Sequence, residues 1–274
     1  MRWLAQPVSE TGATRGSRLW LYLGGAAVLL FLLAPTLIVI PMSFSASSFL
    51  EFPPHALSLR WYAHYFSSPA WMAATATSLE VALLTTLVAT VFGTLAAYGL
   101  FTSRSRWSRL ALGILLTPII VPVILIAVGV FYVDVQLHLL ETIIGLVLAD
   151  SMLATPLVML VVMAALRSYD MSQEMVAQSL GASRPRAFML VTLPQIRFAV
   201  VTAALFSFLT AFDEVVIALF ISGGANATLT RNMFNSLRDQ LDPTIAAVST
   251  VMIAISSVLL VSAQLFGRAR GSRT

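Results

Sequence analysis

Six apolar runs constrain this chain more than any other feature: residues 19–43, 74–101, 109–132, 142–167, 196–221 and 244–267. Each matches or exceeds the ~20 residues that a helix needs to cross a bilayer. Lipid offers a backbone N–H or C=O no partner, so a spanning segment must be a helix or part of a closed barrel. The period-two alternation of a membrane barrel strand is absent. The expected fold is therefore all-α: a polytopic membrane protein with six transmembrane helices over residues 19–267. Charge is scarce, at 10% of 274 residues, where a soluble domain carries about 25%. Residues 1–18 read as a polar arm and 268–274 as a short tail. The first run is too long for a cleaved signal peptide and reads as a retained anchor.

All sixteen basic residues are arginine, and their placement sets the orientation. Arg2, Arg15 and Arg18 precede the first run, and Arg104, Arg106 and Arg109 follow the second. Arg167, Arg184, Arg186 and Arg197 surround the loop after the fourth, and Arg268, Arg270 and Arg273 close the chain. The opposite face holds Arg60, Arg231 and Arg238. The positive-inside rule then places both termini and the 168–195 loop in the cytoplasm. Dispersed arginines on one side of a membrane do not suggest nucleic acid as a partner. The absence of lysine excludes a G-x-x-x-x-G-K-[ST] phosphate loop, so any ATP site belongs to another chain. There is no cysteine, and His55, His64 and His138 are scattered, so no metal site is expected. No catalytic set is visible, and the chain is not expected to be an enzyme.

Small and breaking residues concentrate in the middle runs. Gly93 and Ala97 give a small-xxx-small spacing that lets helices approach closely. Pro118 and Pro122 interrupt the third run and Pro156 the fourth. Outside the membrane, Trp61, Tyr62, Tyr65 and Phe66 suit an interfacial helix. Met233, Phe234, Leu237 and Leu241 fall at helical spacing and predict a short amphipathic helix before Pro243.

One stretch does not belong to a membrane at all. Residues 170–194 read as a short soluble helix, a glycine break and a second short helix. Asp170 or Ser172 can cap the first helix. Met175, Val176 and Leu180 form a narrow apolar stripe on it. Gly181 stands where a helix end wants a left-handed residue. Ser183 and Pro185 restart the helix, and Leu193-Pro194 is expected to end it and turn the chain into the fifth span. A rigid unit of this size, too small to be a domain, suits the groove of a soluble partner.

These residues resemble the EAA loop of binding-protein-dependent ABC importer permeases, the type I or MetI-like fold. The family pattern runs Glu-Ala-Ala, three residues, Gly, nine residues, Ile-x-Leu-Pro. Gly181, Val191, Leu193 and Pro194 fall on that spacing, and Ala177 fits its alanine-rich helix. Met175 stands at the position of the family glutamate, with Glu174 one residue earlier. Leu57-Ser-Leu-Arg-Trp-Tyr62, Ser207 to Ile217 and Asp242 to Val248 resemble the spermidine/putrescine branch. The resemblance implies a permease subunit, in a bacterial inner membrane, that translocates a small solute such as spermidine or putrescine. It implies four partners: a second related permease, a dimer of ATP-binding subunits, an external substrate-binding protein and the lipid bilayer. ATP and Mg would sit on the ATPase, with no cofactor on this chain. It assigns ATPase coupling to Glu174, Ala177, Leu180, Gly181, Ala182, Pro185, Leu193 and Pro194.

Four carboxylates fall within the predicted spans: Glu80, Asp150, Asp213 and Glu214. Intramembrane carboxylates mark a pathway or a pairing. Asp213 and Glu214 are the candidates for a cation path. The competing expectation has them near the outer interface, paired with Arg231 or Arg238 or capping a helix break. Other solutes of the same family remain alternatives: amino-acid derivatives, phosphonates or metal chelates. An ion-coupled secondary transporter is the alternative of another class, and it would show broken-helix repeats and intramembrane charge networks.

Overall fold

The computed structural model describes residues 19–103, 105–239 and 242–271, with side-chain surroundings as far as Val261. The expected arm 1–18, Leu241 of the amphipathic stripe and Arg273 of the tail lie outside the described residues. The chain comprises two units, Met1–His64 with Leu241–Val251, and Tyr65–Gln240 with Met252–Thr274.

In the first unit, α1 (Leu19–Ser43) carries Pro35 and Pro41 and buries almost none of its length. Leu29, Leu30, Phe31 and Leu32 all face outward, as expected of a helix whose solvent is lipid. The following loop is closed by an isolated bridge between Ser45 and Leu57. Arg60 stitches it: its guanidinium donates to Ala46 O at 2.8 Å and Ser48 Oγ at 3.1 Å. Ser43 Oγ and Tyr62 Oη share a hydrogen bond of 2.7 Å.

The second unit contains α3 (Pro69–Thr102), α6 (Ile143–Ser168) and α9 (Leu193–Phe212), packed against one another along their lengths. Their contact surface is built from small residues. Ala89, Ala97, Ala154, Val158 and Ala203 are fully buried together. Gly93 lies against Val158, so a Cβ there would come within 2.7 Å of Val158 Cγ1 and 3.0 Å of the Thr155 carbonyl oxygen. Between apolar helices in an apolar solvent, close backbone approach replaces hydrophobic burial as the source of cohesion. The small-xxx-small spacing at Gly93 and Ala97 thus marks a real helix contact. A second cluster joins Val81 of α3 and Leu146, Val147 and Ala149 of α6. It is completed by Ala127 of α5 (Val123–Leu137) and by Ile217 and Ile221 of α10 (Val216–Ile221).

Four sequence expectations need correction. The third run is two helices, α4 (Ser108–Ile120) and α5, bent by 102°. The cause is local. A residue before proline is held out of the helical region, and Val121 is extended at φ −74°, ψ 132°, with Pro122 at ψ 127°. Among the described residues, five helices are long and apolar enough to cross a membrane, or six if this bent pair is one span. The fifth run stops at Phe212, and α10 begins afresh at Val216. Tyr65, on α2 (Arg60–Ser67), is 2% exposed and bonds Thr75 at 2.7 Å, so it is a packing residue of the second unit rather than an interfacial one. The last helix, α12 (Thr244–Gly271), extends four residues into the expected tail. The expected short helix of the outer loop is α11 (Leu229–Asp239), with Phe234 and Leu237 exposed.

Candidate functional site: the loop between α6 and α9

The loop begins where α6 ends at Ser168 and Tyr169 turns extended. Asp170 then organises the restart. Its carboxylate accepts from Ser172 N at 2.9 Å and from Ser172 Oγ at 2.7 Å. The backbone bond holds the Asp170 carboxyl below the usual carboxylate range, and the hydroxyl bond adds to this. Of the two expected caps, Asp170 is therefore the one that acts on α7 (Ser172–Ser179).

The helix ends in a left-handed glycine. Gly181 has φ +94°, a region that side chains rarely adopt. Gly181 N donates to Gln178 O at 3.0 Å and Ala182 N to Ala177 O at 3.1 Å. The chain restarts at Ser183 with Pro185 in the first turn of α8 (Arg184–Ala187). Here the expectation that Leu193-Pro194 terminates this segment is corrected. The chain runs on through a π-helical turn, Phe188–Thr192, directly into α9, giving one continuous apolar helix from Arg184 to Phe212. Leu193 N bonds Phe188 O across the widened turn. Pro194 brings no N–H to the ladder, and a π turn is where a helix accommodates such a disturbance.

The carboxylate of Glu174 is the hub of this loop. Its residue is 1% exposed, on a helix whose other residues are exposed or half-buried. Oε1 accepts from Tyr98 Oη of α3 at 2.5 Å and from Gln178 Nε2 of α7 at 3.1 Å. Oε2 accepts from Thr192 Oγ1 in the π-helical turn. The Tyr98 ring also packs on Phe188, with centroids 4.4 Å apart. At the rim, Gln195 Nε2 donates to Gln173 Oε1 at 3.2 Å. A recess of about 730 Å³ opens beside Glu174, bounded by Tyr98, Thr102, Met171, Gln178 and Arg184.

The exposed side of α7 carries three apolar side chains beside the polar Ser172, Gln173 and Ser179. Met175 is 59% exposed, Val176 58% and Leu180 84%. Of the other sequence candidates, Ala177 and Ala182 are half-buried, Gly181, Pro185 and Pro194 are exposed, and Leu193 is half-buried at the start of α9. The structure thus brings Glu174, Ala177, Leu180, Gly181 and Ala182 into one bend. Pro185 opens the next helix, and Leu193 and Pro194 lie beyond the π turn. Sequence reasoning missed Tyr98, Thr192, Gln178 and Phe188. Tyr98 lies 76 residues from Glu174 in the chain, and nothing local to either residue announces the pairing. Gln178 was within reach, because an i, i+4 pair on a helix shares a face.

The acidic residues of the spans separate. Glu80 is exposed on α3. Asp213 is the exposed C-cap of α9. Glu214 opens α10, its two oxygens accepting from Ile217 N and Ala218 N at 2.9 Å each. The cap reading therefore holds for Glu214, and pairing with Arg231 or Arg238 does not: Arg238 sits 3.9 Å from Asp239 instead, and Arg231 Nη1 has no hydrogen-bond partner. Asp150 is 4% exposed, and its Oδ1 has no hydrogen-bond partner. Asp134 was missed, because it lies just past the expected end of the third span. It is buried, with Oδ2 unpartnered beside Gly145.

Residues 89–272 match the family model described as binding-protein-dependent transport system inner membrane component. The putrescine transport system permease protein PotI of Escherichia coli (strain K12) is 30% identical over 251 residues, covering 89% of each chain. The spermidine/putrescine transport system permease protein PotC of Haemophilus influenzae is 27% identical over 238 residues, 87% of this chain and 92% of that one. Among solved structures, a bacterial ABC transporter involved in import of the acidic polysaccharide alginate superposes with a TM-score of 0.75 at 14% identity. That match covers 93% of this chain and 98% of the other. A bacterial alginate ABC transporter in complex with its alginate pentasaccharide-bound periplasmic protein gives 0.73. The fold, the loop between α6 and α9 and these likenesses agree: the chain belongs to the family of binding-protein-dependent transport system inner membrane components.

Proposed function

We propose that this chain is a permease subunit of an ABC importer for polyamines such as spermidine or putrescine. The observation that carries the coupling part is α7 itself. It is a short helix with an apolar outward face at Met175, Val176 and Leu180, and its inward face is bonded to the membrane helices. Such a unit is useful only if something soluble fits over it and moves it. The fitting partner is an ATP-binding subunit, which supplies ATP and Mg and leaves this chain without catalysis of its own. A second related permease and an external substrate-binding protein complete the assembly. Arginine placement puts α7 and both termini on the cytoplasmic side of a bacterial inner membrane.

The polyamine assignment is supported by the relatives PotI and PotC and by Asp213. With Glu214 occupied as a cap, Asp213 is the exposed carboxylate at the break between α9 and α10, placed to attract a cation. The bent α4–α5 pair and the break between α9 and α10 are features that a secondary transporter would share. Reconstitution into proteoliposomes with the partner subunits decides between these readings. Uptake of putrescine or spermidine that requires ATP and the loaded binding protein is expected. Uptake driven by an ion gradient without ATP would overturn the importer reading, and ATP-driven uptake of other solutes alone would overturn the polyamine assignment.

A further inference from the structure

We infer that Glu174 is a positioning residue that latches α7 to α3 and α9, so that displacement of α7 is passed to the membrane helices instead of being absorbed in the loop. The inference rests on the reading of residues 170–194 as the ATPase-coupling segment. It differs from a docking role for the glutamate. Glu174 is 1% exposed, so its carboxylate cannot also reach into a groove on another protein. The outward position next to it is held by Met175, 59% exposed. The two faces of α7 therefore divide the work: apolar side chains meet the partner, and the carboxylate holds the helix to the membrane domain.

Without this latch α7 is held weakly. Its ends are an extended residue, Tyr169, and a left-handed glycine, Gly181, around which no neighbouring atom lies within 4 Å of a Cβ position. A helix fixed at such ends and by the single exposed bond between Gln173 and Gln195 pivots when pushed. Two donors from outside the helix prevent this, Tyr98 from α3 and Thr192 from the π turn that leads into α9, while Gln178 of α7 itself helps to orient the carboxylate. Both carboxyl oxygens are engaged, so each donor is drawn to one point. Stacking of Tyr98 on Phe188 at 4.4 Å fixes the direction from which the tyrosine reaches it.

The test is the number of substrate molecules taken up per ATP hydrolysed, measured on the full complex in proteoliposomes. Glu174→Ala is expected to lower this ratio at least tenfold, with Glu174→Gln recovering part of it. Tyr98→Phe and Thr192→Val each remove a single hydroxyl and are expected to lower it by smaller factors. Adding both to Glu174→Ala is expected to give no further loss, because all three act through one carboxylate. A Glu174→Ala complex that couples as the wild type does overturns the latch. So does loss of ATPase from the purified complex, which would make Glu174 a docking contact. If Glu174→Ala fails to assemble, the Tyr98→Phe, Thr192→Val double variant decides, and wild-type coupling there overturns the latch. A wild-type complex with no ATP-driven uptake removes the coupling reading and the latch together.

Discussion

Gly181 isolates the backbone contribution to coupling, because a side chain added there touches nothing. Its φ of +94° lies in the left-handed half of the map, and a Cβ built on it meets no atom within 4 Å. Any penalty for Gly181→Ala is therefore conformational, about 1–2 kcal/mol for an L-residue forced left-handed. That corresponds to a factor of roughly 5–30 in the equilibrium between the formed bend and its alternatives. The bend is closed by three amides: Leu180 N to Val176 O at 3.1 Å, Gly181 N to Gln178 O at 3.0 Å and Ala182 N to Ala177 O at 3.1 Å. Hydrogen-exchange protection at Leu180 and Ala182 is expected to fall by that same factor in Gly181→Ala. Gly181→Asn should lie between, because asparagine tolerates the left-handed region better. Gly181→Pro both fixes φ near −65° and deletes the bond to Gln178 O, and should cost about 3 kcal/mol or more. Uptake per ATP is expected to follow the order Gly, Asn, Ala, Pro, with membrane insertion unchanged. Equal protection in the alanine and glycine proteins would refute the reasoning.

Three further outcomes follow from other parts of the molecule. Gly93→Ala places a methyl 2.7 Å from Val158 Cγ1 and should destabilise the α3–α6 contact by about 1–3 kcal/mol. Thermal unfolding in detergent reads the loss, which Val158→Ala should partly relieve, whereas Gly99→Ala, with open space around it, should cost nothing. The Asp170 carboxyl is more acidic in the folded loop than in an unfolded chain. Its contribution to α7 is therefore fully present above the ordinary carboxylate range and is lost as pH falls through its lowered pKa. Exchange protection of the first amides of α7 should show that acid limb, and Asp170→Ala should abolish it. Asp213→Asn is expected to lower uptake of a divalent or trivalent amine several-fold at low ionic strength while leaving α9 folded. Unchanged uptake would remove Asp213 from the path.

The membrane character of the chain was legible because bilayer thickness imposes one length on every span, and 58% hydrophobic composition leaves few alternatives. Gly181 and the apolar stripe of α7 were legible for a similar reason: each is a local solution to a local backbone problem. What could not be read is what depends on distant neighbours. The inward turn of Glu174 is decided by Tyr98 and Thr192, 76 and 18 residues away, so its place one residue before the family position gave no sign of these bonds. Pro122 was expected only to interrupt one span, but Val121 and Pro122 are both extended, and two extended residues redirect a helix by far more than one proline does. The fifth run was read as one helix because its composition is uniformly apolar. Hydropathy is blind to Glu214, whose carboxylate starts a second helix by accepting two backbone N–H groups.

The central claim is that the outward face of α7 docks an ATP-binding subunit. The chain contains no cysteine, so a single cysteine can be placed without background. In Leu180→Cys the new thiol occupies the most exposed position of that face, 84% accessible in the isolated chain. Cross-linking of the assembled transporter with a short homobifunctional maleimide, against cysteines scanned along the groove of the ATP-binding subunit, tests the contact. A cross-linked species containing both subunits is expected. Labelling of the introduced thiol by a membrane-impermeant reagent from the outside of intact cells, or its free labelling within the stoichiometric complex with no cross-link at any groove position, would contradict the account.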